Sequence, residues 1–373
     1  MNKILLYVSG MIALLSSCKE EYNAPLKDVD KSVLVMEGVL NVSGPTKITL
    51  SQSMKIDEQA QFKPILQAQL NVEGKDGSNS GLVSAGAGMY THPNLNLTVG
   101  NEYRLRIKAN GSEYLSEWVV AKNTPPIDSI TWERDSEGLN FFLSTHDPSN
   151  NSRYYKWEYD ETWQINAYYF ALYKWTGGTT IVPLDPSETP YSCWKYDRST
   201  TIMIGSSAQL NEDVINELPV YHIPLGSEKL SFRYSVLMKQ SSLTKTAFEY
   251  LTLMKKNTET LGSIFDPQPS ELRGNISNIA DPNEIVMGYV IASGISEKRI
   301  FVTSVEANWS YYQNCEYIQI PNNKDTIASY VPTYLPWSAI EAGPGVITDY
   351  FMAIPPCVDC TKRGGSLSKP SYW

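Results

Sequence analysis

Among the 373 residues, the side chains best suited to covalent chemistry are the cysteines at 193, 315, 357 and 360. Cys357-Val358-Asp359-Cys360 has the spacing of a redox pair. That chemistry needs the pair at a helix N-terminus in a βαβ unit, whereas this one follows Pro355-Pro356 late in a strand-rich chain. The pair is also half a zinc site. The three histidines, His92, His146 and His222, lie far apart and supply no second half. An even set of cysteines therefore reads as two disulfides with three possible connectivities. Local pairing of Cys357 with Cys360, leaving Cys193 for Cys315, is the expected one. Ser242-Leu243-Thr244-Lys245 has the Ser-x-x-Lys spacing in which a lysine activates a serine, but the companion Lys-Thr-Gly is missing. Ser242 has a simpler use as a helix cap. No Gly-x-Ser-x-Gly, phosphate loop or His-Glu-x-x-His occurs. These residues point to a non-catalytic protein without metal or cofactor.

The residues best suited to non-covalent recognition are aromatic. Nine Tyr and Trp fall between Tyr154 and Trp175. Tyr155, Trp157 and Tyr159 alternate with Lys156 and Glu158, so they belong in a core. Tyr168, Tyr169, Tyr173 and Trp175, followed by Gly177-Gly178, read as a contact loop.

The elements that must carry these side chains are strands. Period-2 alternation runs through Leu66, Ala68, Leu70 and Val72, through Tyr103, Leu105 and Ile107, and through Phe232, Tyr234, Val236 and Met238. Asn110-Gly111 supplies a tight hairpin turn. The expected fold is mainly β: an N-terminal immunoglobulin-like antiparallel sandwich over 31–121, a Pro-rich linker over 122–127, and a larger β-rich domain over 128–373. Helices are expected to interrupt this domain near 212–218 and 243–261. The net charge of −9 and the absence of a basic block exclude a nucleic-acid partner.

The first residues carry an address. Lys3 and the apolar stretch Ile4–Leu15 read as a signal peptide over 1–17, too short for a membrane-spanning helix. Leu15-Ser16-Ser17-Cys18 resembles a bacterial lipobox, with the Cys18 thiol as the nucleophile that accepts the lipid. Lys19, Glu20 and Glu21 open a tether over 18–30 and resemble the surface-export signal of Bacteroidota lipoproteins. Asp128-Ser129-Ile130 and Asp325-Thr326-Ile327 resemble the O-glycosylation pattern of the same bacteria, with Ser129 and Thr326 as acceptors. The expected location is the outer membrane, lipid-anchored and facing the exterior.

The stretch from Ser263 through Asp266, Pro269 and Gly274 to Ile276 is similar to the signature of a Bacteroidota lipoprotein family known as domain of unknown function 4249. So are Val286-Met287-Gly288-Tyr289, Lys298-Arg299-Ile300-Phe301 and the segment from Cys357 to Gly365 with Pro370 and Trp373. The resemblance implies an outer-membrane lipoprotein associated with a TonB-dependent transporter, and it transfers no catalytic residue. The expected function is a non-catalytic accessory or ligand-capture subunit of such an uptake system, with a glycan, a peptide or a metal chelate as cargo. The alternatives are a structural subunit of an outer-membrane assembly or secretion complex, and a sandwich-fold hydrolase.

Overall fold

A computed structural model describes residues 32–53, 63–259 and 272–373. The expected signal peptide, Cys18, Lys19, Glu20, Glu21 and the start of the family signature lie outside them. The first sandwich is a single curled sheet. Leu34–Asn41 pairs with Thr46–Gln52, and Ala68–Gly74 lies between Asn79–Gly86 and Glu102–Ala109. Asn79–Gly86 also pairs with Met89–His92, so one strand turns the corner between the two faces. The faces close on Met36, Leu40, Leu50, Leu70, Leu105 and Ile107. Asn110 and Gly111 adopt φ of 52° and 78°, and they return the chain into Ser112–Ser116 opposite Glu102–Ala109. The alternation overreaches at Leu66, which is exposed because it precedes the strand.

This sandwich does not close within residues 31–121. Ile276–Asn278 pairs with Ser112–Ser116, while Val286–Met287 and Ala292–Ser293 run parallel to Leu34–Asn41. The 128–373 block is thus not a separate unit throughout. Part of it returns to cover backbone groups that two strands would otherwise leave unpaired. Strands of two or three residues are too short for alternation to reveal which sheet they join.

The second sandwich places a three-stranded sheet, Ile127–Arg134, Gly138–His146 and Val214–Pro224, against a five-stranded one. The latter is built on Tyr154–Asn166, flanked by Ser192–Arg198 and Met203–Ser206 on one side and Arg233–Ser242 on the other, with Ile295–Thr303 beyond. Tyr155 and Trp157 are fully buried between the layers, packed with Phe141, Tyr234, Val236 and Met238. Phe232, one residue before its strand, is exposed. The helix expected at 212–218 is absent. Val214–Pro224 is a strand there, because pairing along Gly138–His146 outweighs the weak local preference of an Asn- and Val-containing segment.

The later helix is present as Lys245–Glu259. Its cap is Thr244, whose hydroxyl accepts from the Ala247 N–H at 3.2 Å. Ser242 instead ends the preceding strand and donates to Ser152 Oγ at 3.1 Å. Ala247, Tyr250 and Leu251 wedge the helix against Val39 and Ile291 of the first sandwich and Leu243 of the second. A small C-terminal sheet, Tyr317–Pro321, Val346–Ala353 and Leu335–Gly343, carries the helix Lys324–Tyr330. The hairpin Tyr173–Gly177 and Thr180–Pro183 packs onto it, with Tyr173 and Ile181 against Tyr350 and Met352.

The disulfides join Cys193 to Cys360 and Cys315 to Cys357. The expected local pairing is wrong. The turn Pro355–Val358 aims Cys357 at the C-terminal sheet, while Cys360, beyond it, enters the core of the second sandwich. No described helix is long and apolar enough to cross a membrane.

Candidate functional site

The bulge between Pro336 and Ser338 in the strand Leu335–Gly343 turns Trp337 onto the face of the C-terminal sheet that packs on Ala353, Cys357 and Val358. There Trp337 stacks on Phe351 at 5.6 Å and on Tyr169 at 4.4 Å, the latter with ring planes only 13° apart. Tyr317 stands edge-on to Tyr169, Trp337 and Phe351, and Tyr168 stands edge-on to Tyr169 at 4.9 Å. These five rings form one cluster. Its inner rings are half-buried, while Tyr168 and Tyr317 are each 55% exposed. The loop carrying Tyr168 and Tyr169 is fixed rather than loose. The Tyr169 N–H donates to Cys357 O at 2.9 Å, its hydroxyl donates to Cys315 O at 2.9 Å, and the Leu172 N–H donates to Trp337 O at 2.8 Å. Burial raises the Tyr169 phenol above its usual range, with Tyr168 and Tyr317 adding to the effect, so it stays a neutral donor. Both ends of the Cys315–Cys357 disulfide therefore sit under the loop. A rigid cluster of Tyr, Trp and Phe loses little entropy on contact and can offer large, partly apolar faces to a partner.

The expected contact loop divides across this sheet. Tyr168 and Tyr169 join the cluster. Tyr173 lies on the opposite face against Tyr350, with its hydroxyl 3.3 Å from Glu341 Oε1, and Trp175 caps its own hairpin by donating to Gly178 O. Tyr317, Trp337 and Phe351 were missed by sequence reasoning, since more than 140 positions separate them from Tyr168–Tyr169. Only the stretch of aromatics in the last strands hinted at them. Ser129 is half-buried on a strand whose Asp128 bonds His146 at 2.8 Å, and Thr326 is half-buried in the first turn of its helix.

Two other polar constellations are structural. Ser242 is fully buried, whereas Lys245 points to solvent and pairs with Glu249 at 3.7 Å, so the Ser-x-x-Lys motif does not assemble. Glu161, buried in the second sandwich, accepts from Lys229 Nζ, Tyr221 OH and Tyr234 OH. Burial, reinforced by that carboxylate, drives both phenols well above their ordinary range. Among the described residues no group of His, Cys, Asp and Glu is arranged to hold a metal ion.

Two β-sandwiches joined side by side, a small appended sheet, a few helices and two disulfides define a mainly β, disulfide-stapled sandwich architecture. The chain belongs to the family described as domain of unknown function DUF4249, whose profile matches residues 19–299. Among curated proteins no relative matches it. Among solved structures it is similar to a two fibronectin type-III domain segment of chicken tenascin, at 10% identity and a TM-score of 0.16, covering 56% of this chain and 91% of that one. It is also similar to the FN1–FN3 domains of chicken CNTN1, at 10% identity and a TM-score of 0.19, covering 58% of this chain and 64% of that one. Likenesses at these scores carry no argument about function.

Proposed function

We propose that the protein is a surface-exposed outer-membrane lipoprotein, anchored through Cys18, that serves as a non-catalytic accessory or ligand-capture subunit of a TonB-dependent nutrient uptake system. The observation that carries the reading is the fixed cluster of Tyr168, Tyr169, Tyr317, Trp337 and Phe351, with its two outermost rings presented to solvent. Exposed aromatic clusters of this kind mark contact surfaces on a folded scaffold. A transporter's extracellular loops are the proposed occupant. The lipobox at Leu15–Cys18 and the acidic residues after it supply the address.

The test is a mild-detergent pull-down of the native, lipidated protein from its own outer membrane, followed by mass spectrometry. Stoichiometric recovery of a TonB-dependent transporter, lost in a Tyr317→Ala variant that still folds, is the expected result. Recovery of assembly or secretion machinery instead would replace this reading with the structural-subunit one.

A further inference from the structure

Two surface clefts adjoin on the second sandwich. One, of about 630 Å³, lies where its five-stranded sheet meets Leu34–Asn41 and Thr46–Gln52 of the first sandwich. The other, of about 510 Å³, runs across the same sheet beneath Tyr196 and Tyr372. Asp160 and Arg198 line both, so the two form one groove with that pair at its waist.

The groove differs from ordinary charged surface in how its groups are left. Asp160 is neutralised by Lys239. Among the described residues, Glu37, Lys47, Arg198 and Glu297 have no side-chain partner, and Arg299 has no carboxylate. Two carboxylates, Glu37 and Glu297, and three cationic groups, Lys47, Arg198 and Arg299, thus line one groove without neutralising one another. The aromatic walls are pre-set. Tyr372 is held by a 2.7 Å bond to Thr162 Oγ1 and by the Arg299 guanidinium 3.7 Å from its ring centre. The Tyr196 hydroxyl donates to Ser368 O at 3.3 Å, leaving its ring more than half exposed.

We infer that this groove binds a neutral oligosaccharide chain, an assignment that gives a cargo class to the capture role proposed above. A sugar hydroxyl both donates and accepts, so it satisfies carboxylates and guanidinium groups in turn without any net charge. An ion of either sign would meet like charges along part of the lining. Sugar C–H faces suit rings already locked at their hydroxyl ends, which lowers the ordering cost of binding. An extended peptide is disfavoured. An added peptide strand along the outer edge of Ser192–Arg198 would have to displace Ser366, which exchanges bonds of 2.8 and 2.9 Å with Trp194.

The experiment is native affinity electrophoresis of the full-length protein in mild detergent, through gels containing soluble starch, xylan, laminarin, mannan, polygalacturonate or casein. Retardation by at least one of the four neutral glycans is expected, weakened tenfold or more by Tyr196→Ala and by Arg198→Ala. Matched thermal melts confirm that the variants fold. Retardation by none of the neutral glycans overturns the inference, as does retardation unchanged in both variants or confined to polygalacturonate or casein. The Tyr317→Ala variant separates the two proposals: it is expected to keep glycan retardation while losing the partner. Loss of retardation in Tyr196→Ala with the transporter still recovered condemns neither.

Discussion

Glu161 is 1% exposed, and Lys229 and two phenols converge on its side-chain oxygens. Removing one member of such a set leaves a buried charge or donor uncompensated. Glu161→Ala is therefore expected to destabilise the protein by about 3–5 kcal/mol in urea unfolding. The surrounding phenols make the fold sensitive to alkali. Burial, with Glu161 adding, pushes Tyr159 up to about 12, and a group whose folded pKa is raised stabilises fully below its unfolded value and less as pH climbs through the folded one. Melting temperature should fall between about pH 10 and 12, and a flat profile there would count against the neutral-phenol core. At the acid end, burial of Glu228 raises its pKa, but the hydrogen bonds from Lys195 and Arg363 outweigh that and hold it low. Its stabilising contribution is present above the ordinary glutamate range and lost as pH falls through the depressed value. The core role of Tyr155, Trp157 and Tyr159 was legible, because alternation within one strand reports its own facing. The three donors around Glu161 were not, since Lys229, Tyr221 and Tyr234 come from different segments.

At the scale of elements, the turn Pro355–Val358 decides the disulfide pairing, and neighbouring cysteines part company across it. Non-reducing peptide mapping should recover Cys193 with Cys360 and Cys315 with Cys357. A peptide holding Cys357 bonded to Cys360 would contradict the fold. Paired Cys193→Ser and Cys360→Ser replacements should cost about 2–5 kcal/mol, since the 167-residue separation they release restores much freedom to the unfolded chain. The hairpin at Asn110-Gly111 was readable because its chemistry is local: Gly111 sits at φ 78° with open space around its Cα. Gly111→Ala should therefore cost only about 1 kcal/mol in thermal unfolding, from backbone strain alone. The strand Val214–Pro224 was misread for the opposite reason. Its state is settled by the partner strand Gly138–His146, which lies some 70 positions earlier.

For the whole molecule, the linker is a joint bonded to both sandwiches. Thr124 Oγ1 accepts from the Ser242 N–H at 3.0 Å, donates to Gly294 O at 2.6 Å and lies 2.9 Å from Ser293 Oγ. Buried Gln240 donates to Pro125 O and Thr145 Oγ1 and accepts from the Trp157 indole. Thr124→Val keeps the shape of the side chain but strands the Ser242 N–H. It should lower stability by about 1–3 kcal/mol and quicken limited proteolysis near the linker. Unchanged proteolysis would mean that the Thr124 bonds do not hold the joint.

What the amino-acid sequence determined by itself is local: strand-rich character, the 110–111 turn, the buried aromatic alternation and the four cysteines that pair. Each follows from side chains within a few positions of one another. The tertiary structure alone decided which cysteines meet, which strands from 276–293 complete the first sandwich, and that Tyr168 and Tyr169 join Tyr317, Trp337 and Phe351 while Tyr173 does not. Those outcomes depend on contacts between distant segments, whose partners are selected by collective packing and hydrogen-bond satisfaction rather than by any local pattern.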